Sequence, residues 1–401
     1  MSVQDSSVIR QCFSFLPLND FKLPFFDHGK QKLKARHVLK TFLAAQLFGW
    51  TNLRTIECAI RSDAKIQEAC GIQTISASQL SRSMQQIPIA VTEALFRYVI
   101  HSITQRTSAR PLPVGALALV DSTNLTLPFQ LGDWAYVSRT RSGVKIHTRL
   151  LVVDKDTAYP DKIVPSTGNT SDYEGSDLLV VDLDVTYVMD RGYVCYKRMQ
   201  QWVTDGLSFV IRLHDHHHAT VIEDHAIPEG GPILRDAAVV LGNNAKTTMS
   251  APVRLVEFVD PQGRRFRLAT TQWKLSAMEV AEIYRQRWLI ELFFKWIKQH
   301  LHVATLYSYQ PEGVWNHIFM ALVAYGVSYL LWLETDQSRT IWTLVKLLRL
   351  YSTKTVEEWL QEVNRRATRK SKGRQRRERP PLKQPREQGQ LVVVKASKKK
   401  R

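Results

Sequence analysis

The run Val114-Gly-Ala-Leu-Ala-Leu-Val120 is apolar at every position and stops on Asp121. A strand with one wet face alternates polar and apolar residues. An unbroken apolar run closed by a polar residue predicts a strand buried on both faces. Such a strand needs a layer on each side, which confines the chain to an α/β architecture. The next segments supply the partners. Lys145-Ile-His-Thr-Arg-Leu-Leu-Val-Val153 reads as a second strand and Lys162-Ile-Val-Pro165 as a third, followed by the turn-rich Gly168-Asn-Thr-Ser-Asp172. A short helix covers 173–180. Val185-Thr-Tyr-Val-Met189 is a strand that again ends on an acid, Asp190; a helix over 196–203 and a strand over 208–212 follow. Three strands, helix, strand, helix, strand suits a mixed sheet, and ligand sites in such sheets gather at strand ends.

Both flanks differ in character. Residues 1–110 read as helical, with 3.6-residue spacing in 38–48 and 90–100. After a turn at Gly71, Ser76 reads as the cap of a short helix displaying Gln79, Arg82 and Ser83, either the second helix of a helix-turn-helix or part of a plain bundle. Residues 214–272 are strand-like and turn-rich and read as an inserted β-subdomain. Ser276 and Glu279 form a capping-box pattern that opens a long helix, and further helices fill 313–334 and 338–365. The organisation expected is a helical domain over 1–110, an α/β core over 111–335 with 214–272 inserted, a helical segment over 336–364 and a disordered tail over 365–401.

Charge is concentrated at one end. Of a net +18, residues 365–401 hold 16 Lys and Arg against 2 Glu, which leaves only about +4 for 1–364. A basic arm with Pro380, Pro381 and Pro385 neutralises phosphates without reading sequence. The apolar stretch 318–333 is short for a membrane span and reads as a core helix. Cys12, Cys58, Cys70 and Cys195 form no CxxC pair. With no signal peptide pattern, a soluble cytoplasmic protein with reduced thiols and no membrane partner is expected.

The stretch YRQRWLIELFFKWIK, residues 284–298, is apolar enough for a buried helix yet keeps Arg287, Glu291 and Lys298. On one continuous wheel Tyr284, Arg287, Glu291 and Lys298 share a face. The plain reading is an i, i+4 ion pair with Lys298 reaching outward. The alternative is that Glu291 meets Asp121 and Asp190 in a cleft. Three bare carboxylates repel unless cations lie among them, and Mg²⁺ takes carboxylate and phosphate oxygens. Arg287 and Lys298 would then hold flanking phosphates.

The set V-D121-S-T, M-D190-R-G-Y and Y284-(2)-R287-(3)-E291-(6)-K298 resembles the DDE transposases of the IS4 family, whose Y-(2)-R-(3)-E-(6)-K signature is matched at every position. The resemblance spans about residues 20–335. It implies an RNase H-like core with a β-insertion before the last acid, preceded by a helical N-terminal domain. It also implies Mg²⁺-dependent cut-and-paste transposition through a hairpin intermediate, with Mn²⁺ as a substitute. Asp121, Asp190 and Glu291 become the catalytic metal ligands; Tyr284, Arg287 and Lys298 become contacts to transposon-end phosphates. Arg191 is a further candidate phosphate contact. Trp273 is a candidate for stacking a flipped base, against a place in the core. The implied partners are transposon ends, target DNA and a second copy of the chain; the implied location is the nucleoid. The competing readings are an RNase H-like nuclease without strand transfer and an inactive copy that only holds DNA ends. His214-Asp-His-His-His218 reads as an exposed loop rather than a metal tract, Asp154 as a strand-end turn residue, and Asp172 and Asp177 as helix caps. Lys145 and His147 face either DNA or solvent. The terminal-repeat sequence, the target preference and the activity of this copy are not written in the sequence.

Overall fold

A computed structural model describes residues 7–107, 114–155, 157–243, 248–300, 306–335, 337 and 339–365. The expected basic tail from 366 onward lies outside the described residues. Seven helices come first: α1 (Val8–Ser14), α2 (Pro24–Asp27), α3 (Ala35–Phe48), α4 (Leu53–Ser62), α5 (Ala64–Cys70), α6 (Ala77–Gln86) and α7 (Ile89–Arg106). Gly71 closes α5 in the left-handed region at φ 74°, and Ser76 caps α6 by accepting from the Gln79 amide. Arg82 is exposed, but Ser83 is buried and accepts a hydrogen bond from Gln79 Nε2, so it is not displayed.

The apolar run forms β1 (Ala116–Leu127), followed by β2 (Tyr136–Ser138), β3 (Arg141–Asp154) and β4 (Thr157–Thr167). After α8 (Asp172–Leu179) come β5 (Val185–Met189), α9 (Tyr196–Thr204) and β6 (Ser208–Arg212). These strands lie side by side as β4–β3–β1–β5–β6; β1 is antiparallel to β3 and parallel to β5, and β5 is parallel to β6. A large mixed sheet with helices on its faces is consistent with an RNase H-like α/β fold. Burial on both faces holds. Ala118, Val120, Tyr187 and Met189 pack with Met199 and Trp202 of α9, while Leu117, Leu119 and Val188 pack on the opposite side with Ile290 and Ile297.

β1 does not end at Asp121. It continues to Leu127, paired with β3 as far as Leu127↔Ser142. Its pairing with β5 stops at Val120↔Met189. Asp121 therefore sits where the sheet loses a strand on one side, which opens a notch. Residues 219–270 form β7 (Ala219–Asp224), β8 (Ile233–Leu241), β9 (Val253–Val259) and β10 (Arg265–Thr270). β10 pairs with β6, so these strands lengthen the same sheet.

The helix expected from Ser276 is two helices, α10 (Ala277–Arg285) and α11 (Trp288–His300), and α11 packs on β1. α12 (Pro311–Leu333) is long and apolar enough to cross a membrane, but 94% of its apolar stretch is buried, mainly against α7, α3 and α6. Its Asn316 is satisfied there: Nδ2 donates to the carbonyls of Met84 and Ile87, and Oδ1 accepts from Thr92. The segment 338–365 also breaks in two, α13 (Ile341–Tyr351) and α14 (Val356–Val363), with Thr355 capping the second by accepting from the Glu358 amide.

One buried cation fixes α8 over the sheet. Arg149 on β3 donates to both oxygens of Asp161 on β4, to Asp182, to the Leu179 carbonyl at the end of α8 and to the Tyr187 hydroxyl on β5. Removing one member of such a network leaves buried charges unpaired. Arg149→Met should lower the unfolding free energy by about 3–5 kcal/mol. Urea unfolding measures this, and a loss within about 1 kcal/mol would mean that water or rearrangement satisfies Asp161 and Asp182.

Candidate active site

Asp121 and Asp190 meet because β1 and β5 are parallel neighbours. Each acid follows one residue of the pair Val120↔Met189. Asp190 ends β5 and caps a single 3-10 turn, Arg191–Tyr193, accepting from the Gly192 amide at 2.8 Å. Asp121 accepts from the Ser122 amide at 2.7 Å and lies 3.7 Å from the Arg287 guanidinium. Burial pushes the Asp121 carboxyl up to about 7; the negative charges of Asp190 and Asp172 add to this, while the Ser122 amide and Arg287 oppose it.

Glu291 arrives on α11. Arg287 donates to its carboxylate while facing Asp121, so one guanidinium spans the first and third acids. The ion pair of the plain reading is present, with Asp121 as a third member. The chain carrying it is not one regular helix. Gln286, Arg287, Leu289 and Ile290 donate to carbonyls three residues back, a 3-10 stretch between α10 and α11. The regular wheel through 284–298 is therefore interrupted, although Arg287 still reaches both Tyr284 and Glu291. Tyr284 is buried against Phe266, ring centres 5.9 Å apart, and Arg287 lies 5.9 Å over its ring. Glu291 and Lys298, two turns apart on α11, still share a face. Lys298 is half-buried, burial lowers its pKa, and among the described residues it forms no ion pair. Nor is α11 sheathed all round: Trp288 is 59% exposed. Trp288 and Tyr284 line a cavity of about 420 Å³ with Phe258, Phe266, Arg264 and Arg287.

Sequence reasoning missed a further acid. Ser171, not Asp172, caps α8, in a capping box with Glu174. Asp172 instead turns toward the notch. Its Oδ1 accepts from the Ser122 hydroxyl at 2.5 Å and from Lys145 Nζ at 3.1 Å. Asp177 is no cap either; it pairs with Arg198 through both oxygens. Lys145 and His147 face neither DNA nor solvent. Both are buried, Lys145 donating also to the Thr170 carbonyl and His147 contacting Ser166 at 3.0 Å.

The fit for a small hard cation shows in two features. A Cβ on Gly192 would lie 3.1 Å from Asp190 Oδ1 and 3.2 Å from Asp172 Oδ2, so glycine keeps open the space between these carboxylates. Beside it the Tyr193 hydroxyl is buried without a hydrogen-bond partner among the described residues. The donors are hard oxygens, as Mg²⁺ and Mn²⁺ prefer. Among the described residues no three His, Cys, Asp or Glu side chains are already closed around one point; Glu291 is held by Arg287. That holds for the histidine tract as well. The His214 and His216 rings stack 4.9 Å apart with His217 edge-on to both, and burial, then the charges of His216, His214 and Arg267, push His217 down to about 4. Arg191 is exposed beside Asp190. Trp273 is 46% exposed, its ring 6.4 Å from that of His225, so it is not a core residue.

The family model of the transposase DDE domain matches residues 114–327, from the start of β1 into α12. Similar proteins include a probable transposase for insertion sequence element IS5377 of Geobacillus stearothermophilus, 27% identical over 311 residues, 76% of this chain and 78% of the relative. A putative transposase of Sinorhizobium fredii, y4zB, is 27% identical over 244 residues, 60% of this chain and 67% of the relative. A putative transposase for insertion sequence element IS4SA of Synechocystis is 22% identical over 339 residues, 81% of this chain and 93% of the relative.

A carboxyl raised on folding binds more protons in the native than in the unfolded state, so its contribution is intact at low pH and stability falls as pH rises toward its native pKa. In EDTA, Asp121→Asn should therefore raise the melting temperature at pH 8, where the buried charge is removed, and change it less at pH 5. Thermal melts at both pH values check this; a variant that melts lower than the parent at pH 8 contradicts it.

Proposed function

The chain belongs to the transposase DDE domain family and is the transposase of an insertion element; from that premise we propose that it excises and inserts DNA by cut-and-paste chemistry at Asp121, Asp190 and Glu291. The observation that carries this reading is the meeting of Asp121 and Asp190 on parallel strands, with Glu291 tied to Asp121 through Arg287. Asp121, Asp190 and Glu291 would hold Mg²⁺, or Mn²⁺ in its place, which when bound supplies Lewis acidity for phosphodiester cleavage.

The protein's own residues do the rest. Gly192 leaves the cleft open, and the notch beyond Val120 gives a DNA strand access to it. Arg287 balances Asp121 and Glu291 before DNA arrives; with Lys298 and Arg191 it holds the phosphates flanking the cut. Tyr284, braced on Phe266, fixes the position of Arg287. Trp273 stands exposed at the base of the lengthened sheet and serves as a stacking surface for an unpaired base. The reaction begins with hydrolysis at the element end, which frees a 3′ hydroxyl. That hydroxyl attacks the opposite strand to form a hairpin, water reopens the hairpin, and the 3′ hydroxyl then attacks target DNA. In each attack one P–O bond forms as another breaks.

Residues 1–110 act as the end-binding domain around α6, 111–335 as the RNase H-like core with 214–272 inserted, 336–364 as a helical support, and the basic tail as a phosphate-binding arm. Two copies hold the two ends on nucleoid DNA in the cytoplasm.

The test is incubation of the full chain with DNA carrying its own element ends and Mg²⁺. Nicking at the ends and joining of the 3′ hydroxyl to a second duplex is the expected result. Glu291→Gln should lower both by more than about 100-fold, the upper end for substitutions outside the ligand shell. Cleavage unchanged in Glu291→Gln removes Glu291 from the mechanism, and cleavage without joining favours the nuclease reading.

A further inference from the structure

We propose that Asp172 is a fourth carboxylate of this active site, its Oδ2 facing the same cation-binding cleft as Asp190; this rests on the cation-dependent transposase reading above. The argument begins with how the Asp172 side chain is divided. Oδ1 accepts from both Ser122 Oγ and Lys145 Nζ. The carboxylate is thus fixed in orientation by neighbours on β1 and β3. Oδ2 takes neither bond. It points at Gly192, where a Cβ would stand 3.2 Å from it and 3.1 Å from Asp190 Oδ1. The two carboxylates therefore look into one small space, from the first turn of α8 and from the end of β5, and glycine keeps that space empty.

An independent observation points to a ligand there. Tyr193 is fully buried, yet its hydroxyl has no hydrogen-bond partner among the described residues. A buried hydroxyl left unpaired costs roughly 1–3 kcal/mol. Burial, and then the charges of Asp121, Asp172 and Asp190, raise its pKa, and the neighbouring Ser122 side chain opposes them. The hydroxyl is therefore close enough to feel the charge of all three aspartates, and it lies beside Ser122, which donates to Asp172.

The competing account is that Asp172 serves only as the counter-ion of Lys145, whose side chain is 10% exposed. That account explains Oδ1. It does not explain why Oδ2 is left facing Gly192 and the side of the second catalytic acid. It also predicts a different phenotype, because a purely structural partner changes stability and not cation affinity.

The experiment titrates Mn²⁺ into the full chain without DNA, following free Mn²⁺ by electron paramagnetic resonance, so that no turnover is needed. Asp190→Asn is the control. Asp172→Asn keeps an oxygen acceptor for Ser122 and Lys145 and removes the charge. Both variants should weaken Mn²⁺ binding by about tenfold or more. Parental affinity in Asp172→Asn, with affinity lost in Asp190→Asn, overturns the fourth carboxylate and leaves the transposase reading standing. Absence of binding in the parent, or parental affinity in Asp190→Asn, overturns the reading and the inference together. If Asp172→Asn does not fold, Lys145→Met decides: removing a competing cation from Asp172 should tighten Mn²⁺ binding, and unchanged affinity counts against a site-facing Asp172.

Discussion

Parallel pairing of β1 with β5 places two carboxylates on adjacent backbones at the same height, and every other feature of the notch answers their repulsion. Such a pair is unfavourable in a partly buried setting unless cations or protons intervene. The protein supplies both. Arg287 approaches Asp121 from the helical side, Lys145 approaches Asp172 from β3, and the raised Asp121 carboxyl holds a proton near neutrality. The apolar surround of α11 keeps its Arg287–Glu291 pair for the same reason: the guanidinium is shared with a strand-end acid on the sheet it covers.

The sheet was legible because burial leaves a periodic trace. An apolar run without alternation marked β5 and β6 closely and the first half of β1, and the acids that close β5 and interrupt β1 marked the notch. Less was legible where polar residues do structural work. Ser122, Thr123, Asn124 and Thr126 look like a loop after Asp121, yet they pair with β3, with Thr123, Leu125 and Leu127 turned inward. Lys145 and His147 alternate as a solvent face would, and only the presence of α8 explains their burial. An acid near a helix start is equally suited to cap it or to face away, so Asp172 could not be assigned without knowing that Ser171 takes the cap. The break between α10 and α11 carries neither proline nor glycine, and a wheel drawn through it had no reason to stop.

The helical layer explains how the third acid is held. α12 is buried against helices from the start of the chain, and α11 packs between that layer and β1. Phe293 and Trp296 of α11 set their rings edge-on to Tyr325 of α12 at 5.1 and 4.9 Å. These contacts fix the outer part of α11, while its first turn, with Trp288 exposed, is anchored by 3-10 bonds and the Arg287 pairs. A short 3-10 segment inside a helical run is a common place for adjustment. Here it carries the residue that links two acids, Arg287, set between α10 and the packed part of α11.

Charge within the notch is not balanced by its own residues. Asp121, Asp172, Asp190 and Glu291 contribute carboxylates, and the cations bonded to or facing them are Arg287 and Lys145. The excess is negative, and Asp172 Oδ2 and Asp190 Oδ1 both lie beside Gly192, whose amide donates to Asp190. The proton held by Asp121 relieves part of that excess, but a proton serves one oxygen at a time. A divalent cation relieves more of it at several oxygens at once, releasing the proton as it binds. In the proposed mechanism the same imbalance that costs the folded chain stability is what would draw a divalent cation into the notch.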